Sequence, residues 1–109
     1  MADFDFQSIL SDIKNSVTAL ALSTVKEYAN EAKADALQFV ENSKANLQTW
    51  IVELSQGQLT QADFEDLVMG LKDLMQMNAL QQAGFSLIEA DQFKISLLNT
   101  VIKTVVSLI

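Results

Sequence analysis

Hydrophobic residues recur at intervals of three and four along most of this chain, the spacing that places side chains on one face of an α-helix. The repeat is interrupted near Gly57 and again near Gly84. The pattern therefore predicts helices over residues 5–55, 61–83 and 87–109. These segments describe an all-α protein with a single helical-bundle domain over residues 1–109.

The first segment has no glycine or proline between Phe6 and Gln56, which favours one long or kinked helix. Its apolar stripe nevertheless turns by roughly 100° between Leu20 and Val25, so the two halves face different directions. Thr24 and Glu27 also have the spacing of a capping box. A break near Ser23 therefore remains open, and with it a choice between a three- and a four-helix bundle.

The second and third segments carry signals for a helical hairpin. Thr60, followed three residues later by Asp63, predicts a helix start, and Ser86 with Glu89 predicts another. Between them Gly84 predicts a C-terminal cap with positive φ, since glycine adopts that conformation without a steric penalty. The long N-terminal helix is expected to pack on this antiparallel hairpin.

Both helices of the hairpin have a broad apolar face. In the second, the predicted core face contains Phe64, Leu67, Val68, Leu71, Leu74 and Met75. In the third, the predicted apolar arc contains Leu87, Ile95, Leu98, Val101, Ile102, Val105 and Ile109. Three further residues of the second helix, Met69, Met77 and Leu80, fall opposite its core face. A helix that is apolar on two sides is usually covered on both.

Two apolar surfaces are therefore left without a partner in a three-helix monomer, and this predicts a homo-oligomer, a dimer first. The candidate interface is Phe6, Leu10, Ile13, Val17, Leu20, Met69, Met77 and Leu80. Another protein is the alternative partner.

The net charge of the chain limits the classes of partner that it is expected to bind. The net charge is −7, and the seven basic residues are all lysines dispersed among fourteen acids. Binding to nucleic acid or to an anionic membrane requires clustered positive charge, so neither is expected. The most apolar segment, 95–109, is shorter than the about 20 residues of a membrane span. With an acidic start at 1–5, the expected location is the cytoplasm.

The chain has no histidine and no cysteine, which removes the commonest general base and the strongest ligands for transition metals. Glu27, Glu31 and Asp35 share one helix face but are expected to be solvated. Asp63, Glu65 and Asp66 suit the positive end of a helix dipole. Four polar residues near the hairpin turn are expected to form an ordinary polar end of the bundle: Asn78, Gln82, Asp91 and Lys94. No catalytic, metal-binding or cofactor-binding residue is assigned.

The function that fits these observations is a non-enzymatic structural or protein-interaction module that self-associates. The alternative is an amphipathic bundle that binds lipid or another apolar ligand.

Overall fold

The first two helices form an antiparallel hairpin in the computed structural model, which describes residues 5–109. Helix α1 spans Phe6–Thr24 and helix α2 spans Ala29–Ser55. The ammonium of Lys14 lies 3.8 Å from the carboxylate of Glu41, which is possible only if the chain folds back between them. The continuous helix that the sequence favoured over 5–55 is therefore wrong. The alternative, a break close to Ser23, is present.

The break falls at Val25, with φ −119° and ψ 66°, and is followed by a 3₁₀ turn at Lys26–Tyr28. Val25 is itself buried, so its side chain anchors the turn to the core. The change in direction of the apolar stripe is the physical reason for the break. Folding back lets both halves of the stripe face one core, which a straight helix could not do. No glycine is needed, because none of the residues in this turn adopts positive φ.

The second predicted helix, 61–83, is not continuous. Helix α3 spans Gln61–Met69 and leads into a 3₁₀ segment at Gly70–Leu74. Met75 is then extended, with φ −76° and ψ 131°, before the short helix α4 at Asn78–Gln82. The start is as predicted: the Thr60 hydroxyl and the Asp63 carboxylate form a capping box.

The N-terminus of α4 is capped by a residue from another helix. Asp35, in the middle of α2, accepts hydrogen bonds from the backbone N–H of Ala79 at 3.0 Å and of Leu80 at 2.9 Å. Its exposed fraction is only 5%. The local cap position, Met77, has no side chain that can accept these bonds. The buried carboxylate therefore satisfies two donors that the short helix leaves unpaired.

Helix α5 spans Leu87–Leu108 and packs against α1 and α3. Gly84 has φ 89°, as predicted. The N–H of Phe85 donates to the Leu80 carbonyl and that of Gly84 donates to the Gln81 carbonyl, which together form a Schellman motif. The Ser86 hydroxyl then accepts from the Glu89 N–H and caps α5. Thus both predicted ends of the hairpin turn are confirmed.

The core lies between α1, α2, α5 and the broken 61–82 segment. The packing faces of α3 and α5 differ from those predicted. Leu67 and Leu74 are exposed rather than buried, as are Leu87 and Ile95 on α5 and Ile109 directly after it. On α5 the core is filled by Ala90, Phe93, Leu97, Leu98, Val101, Ile102 and Val105. Trp50 is half-buried at its edge.

We expect Asp35→Ala to lower the free energy of unfolding by about 2 kcal/mol, because it removes a helix cap and leaves one buried and one part-buried N–H group unpaired. Asp12→Ala, at an exposed position on α1, is the matched control and should change it by less than about 0.5 kcal/mol. Urea unfolding measures both. Equal stability of the two variants would contradict the capping role of Asp35.

Glycine substitutions test the helix cap at Gly84. Gly84→Ala should destabilise by about 1 kcal/mol because positive φ disfavours any residue with a Cβ. Gly70→Ala is the control, since Gly70 has φ −63° and no atom lies within 4 Å of an added Cβ. Thermal unfolding should rank Gly70→Ala as the more stable variant; the reverse order would rule out the proposed cap.

Candidate functional site

The predicted oligomer interface lies mostly inside the chain. Six of its eight positions are buried: Phe6, Leu10, Ile13, Val17, Met77 and Leu80. The other two, Leu20 and Met69, are partly buried against the same core. These side chains are therefore not available to a second copy. Acidic substitutions at Leu10 or Val17 would unfold the chain rather than separate two copies.

The predicted interface is buried on α1 and on the 61–82 segment for the same reason, a change in the direction of the backbone. The reversal at Val25 turns the α1 stripe inward, and the extended backbone at Met75 redirects Met77 and Leu80 into the core. A regular helix over 61–83 would have placed these two residues on the opposite side from Phe64.

The acidic residues Glu27, Glu31 and Asp35 are not brought together as a ligand set. Asp35 points inward to cap α4, whereas Glu27 lies at a cavity and is exposed. Glu31 is half-buried, and its Oε2 atom has no hydrogen-bond partner among residues 5–109. Within the same residues no three acidic side chains are grouped as a metal site would require.

Among the polar residues near the hairpin turn, Asp91 forms an ion pair with a lysine of another segment. The Asp91 carboxylate lies 3.0 Å from the ammonium of Lys72, which belongs to the 3₁₀ segment after α3. This ion pair connects that segment to α5. Both side chains are partly exposed, so its contribution to stability is expected to be below about 1 kcal/mol.

A half-open cavity of about 430 Å³ lies between the α1–α2 turn and the first half of α5. Tyr28 and Phe85 meet edge to face at its wall, with ring centroids 5.3 Å apart. Its apolar lining also includes Val25 and Phe93, and its polar lining includes Thr24, Lys26, Glu27, Glu89, Gln92 and Ser96. The volume and the mixed lining suit a small ligand with an apolar body.

A row of isoleucines at seven-residue intervals runs along α5 and ends directly after it. The row consists of Ile88, Ile95, Ile102 and Ile109. Ile88 is 74% exposed, Ile95 is 36% exposed and Ile109 is 52% exposed, whereas Ile102 is 8% exposed. A seven-residue repeat drifts by about 20° per heptad around a straight helix, which carries the row toward the core at Ile102.

Residues four positions after each isoleucine complete a stripe with a mean spacing of 3.5 residues. They are Gln92, Asn99 and Val106. We call the full set, from Ile88 to Ile109, the α5 seam. Its spacing is that of the contact line of a coiled coil. The open part, from Ile88 to Asn99, is about two heptads long.

Sequence reasoning missed the α5 seam because it assigned Ile95 and Ile109 to the core arc. The strict recurrence of one residue type every seven positions was the available signal. That recurrence differs from the 3.6-residue period by which a helix faces a globular core.

Comparisons with known proteins give no relative: no protein-family model matches the chain, and no curated protein or solved structure is detectably similar to it. In the described range 5–109, no helix combines the length and the apolar character needed to cross a membrane.

Proposed function

We propose that this chain is a non-enzymatic protein-interaction module that self-associates as a dimer through the α5 seam. The observation that carries the proposal is the exposure of Ile88 and Ile95, one heptad apart on α5, because exposed apolar residues at coiled-coil spacing indicate a contact surface. The cytoplasmic location predicted from the sequence belongs to the same proposal.

The charge distribution supports a second copy as the partner. Helix α5 contains two acids and two lysines, Glu89, Asp91, Lys94 and Lys103, so the excess negative charge of the chain lies elsewhere. Two copies that meet at α5 therefore approach through the electrically neutral part of each surface. Repulsion between the remaining charges is screened over about 8 Å at physiological salt.

The open part of the α5 seam is short, which sets the expected strength of association. Two heptads bury less than a standard interface, and such small contacts are typical of weak or transient complexes. We therefore expect a dimer whose population depends on concentration.

Sedimentation equilibrium at tens of micromolar tests this proposal. We expect a concentration-dependent mass above 12.0 kDa for the unmodified chain. Ile88→Asp should shift the equilibrium to monomer, because it buries a charge in the contact. Leu74→Asp is the matched control, since Leu74 and Ile88 are both 74% exposed but Leu74 lies outside α5.

The proposal fails if the unmodified chain sediments solely as a 12.0 kDa species over that range. A dimer that resists Ile88→Asp but dissociates with Leu74→Asp would place the contact on the 70–74 segment instead.

A second candidate is the binding of a small apolar ligand, supported by the aromatic wall of the 430 Å³ cavity. A neutral naphthylamine dye that fluoresces in apolar surroundings provides the probe. If the cavity binds it, Thr24→Phe should reduce binding by filling part of the space, whereas Ser23→Phe, at a neighbouring exposed position away from the lining, should not. No fluorescence increase with the unmodified chain would exclude this candidate for that class of ligand.

A further inference from the structure

We infer that the two α5 helices pair in antiparallel orientation, with Glu89 of each copy opposite Lys103 of the other. This inference rests on the self-association proposed above and adds the geometry of the contact. It follows from the residues that border the α5 seam.

The residue directly after each isoleucine borders the α5 seam on one side. These residues are Glu89, Ser96 and Lys103. The other border is formed by Asp91, Leu98 and Val105, of which Leu98 and Val105 are fully buried in their own core. Charges that can meet a second copy beside the α5 seam are therefore concentrated on the first border.

Glu89 and Lys103 are both exposed, and neither forms an ion pair among residues 5–109. They are fourteen positions apart, which is about 21 Å along the helix axis. Ser96 lies midway between them. The border is thus acidic at one end, neutral in the middle and basic at the other end.

Only one orientation matches these charges. In an antiparallel pair with its two-fold axis near Ser96, Glu89 of each copy meets Lys103 of the other, and symmetry makes this contact twice. In a parallel pair, this border of each copy would face the other border of its partner, so Glu89 and Lys103 would lie on opposite sides of the contact and form no pair. Opposite charges at positions that flank a coiled-coil contact are a means of selecting orientation.

The two ion pairs are expected to select orientation more than to supply affinity, because each is solvent-exposed. Ile95 of each copy lies next to the two-fold axis and supplies the apolar centre of the contact. Charge reversal at the border should therefore change the dimer constant measurably without unfolding either chain.

The test uses Glu89→Lys, Lys103→Glu and the variant with both changes, with dimer constants from sedimentation equilibrium at low salt. Antiparallel pairing predicts that each single change weakens the dimer by about 5- to 10-fold, since attraction becomes repulsion at two contacts. The variant with both changes should recover the original constant, because the pairs are restored with their signs exchanged.

Net charge alone predicts a different pattern. Glu89→Lys reduces the net charge from −7 to −5 and Lys103→Glu increases it to −9, so the two single changes would act in opposite directions. Asp66→Lys and Lys33→Glu make the same charge changes at exposed positions outside α5 and serve as controls.

A dimer that follows net charge, or that is unaffected by both single changes, would overturn the antiparallel pairing and leave self-association standing. An unmodified chain that is monomeric throughout would overturn self-association itself, and the pairing with it.

Discussion

The hydrogen bonds from the N-terminus of α4 to Asp35 are the constraint on which the arrangement of the second half of the chain depends. Helix α4 has five residues, too few to be stable alone, and it begins without a local side-chain cap. The buried carboxylate on α2 accepts its first free N–H groups and fixes where it begins. This position directs Met77 and Leu80 into the core and sets the place from which α5 starts.

Much of this architecture can be predicted from the sequence, but local features are predicted better than long-range contacts. Local signals were sufficient for the caps at Thr60, Gly84 and Ser86, since each depends on neighbours within a few residues. The contact between Asp35 and α4 joins residues that are 44 and 45 positions apart, and no local sequence pattern predicts it. Asp35 was predicted to belong to a solvated acidic face. Its hydrogen-bond partners are backbone N–H groups, which do not depend on residue type and therefore leave no signal in the sequence.

The assignment of apolar faces shows the same limit. A helical period identifies which residues share a face but does not identify what covers that face. Leu10 and Ile88 both belong to apolar stripes, yet Leu10 lies in the core and Ile88 is exposed. The difference arises from the reversal at Val25, which is a tertiary event. Consequently the surface proposed for self-association could be located only once the chain's own packing was known.

The short α1–α2 turn also has a consequence for the order of folding during synthesis. The hairpin joins neighbouring helices through the few residues between Thr24 and Ala29, so both helices are present when only half of the chain has been made. Contacts close in sequence form at a lower loop-closure cost than distant ones. Asp35 is then already held on a helix when residues 78–82 emerge, and the nascent α4 meets an acceptor that is in place before it.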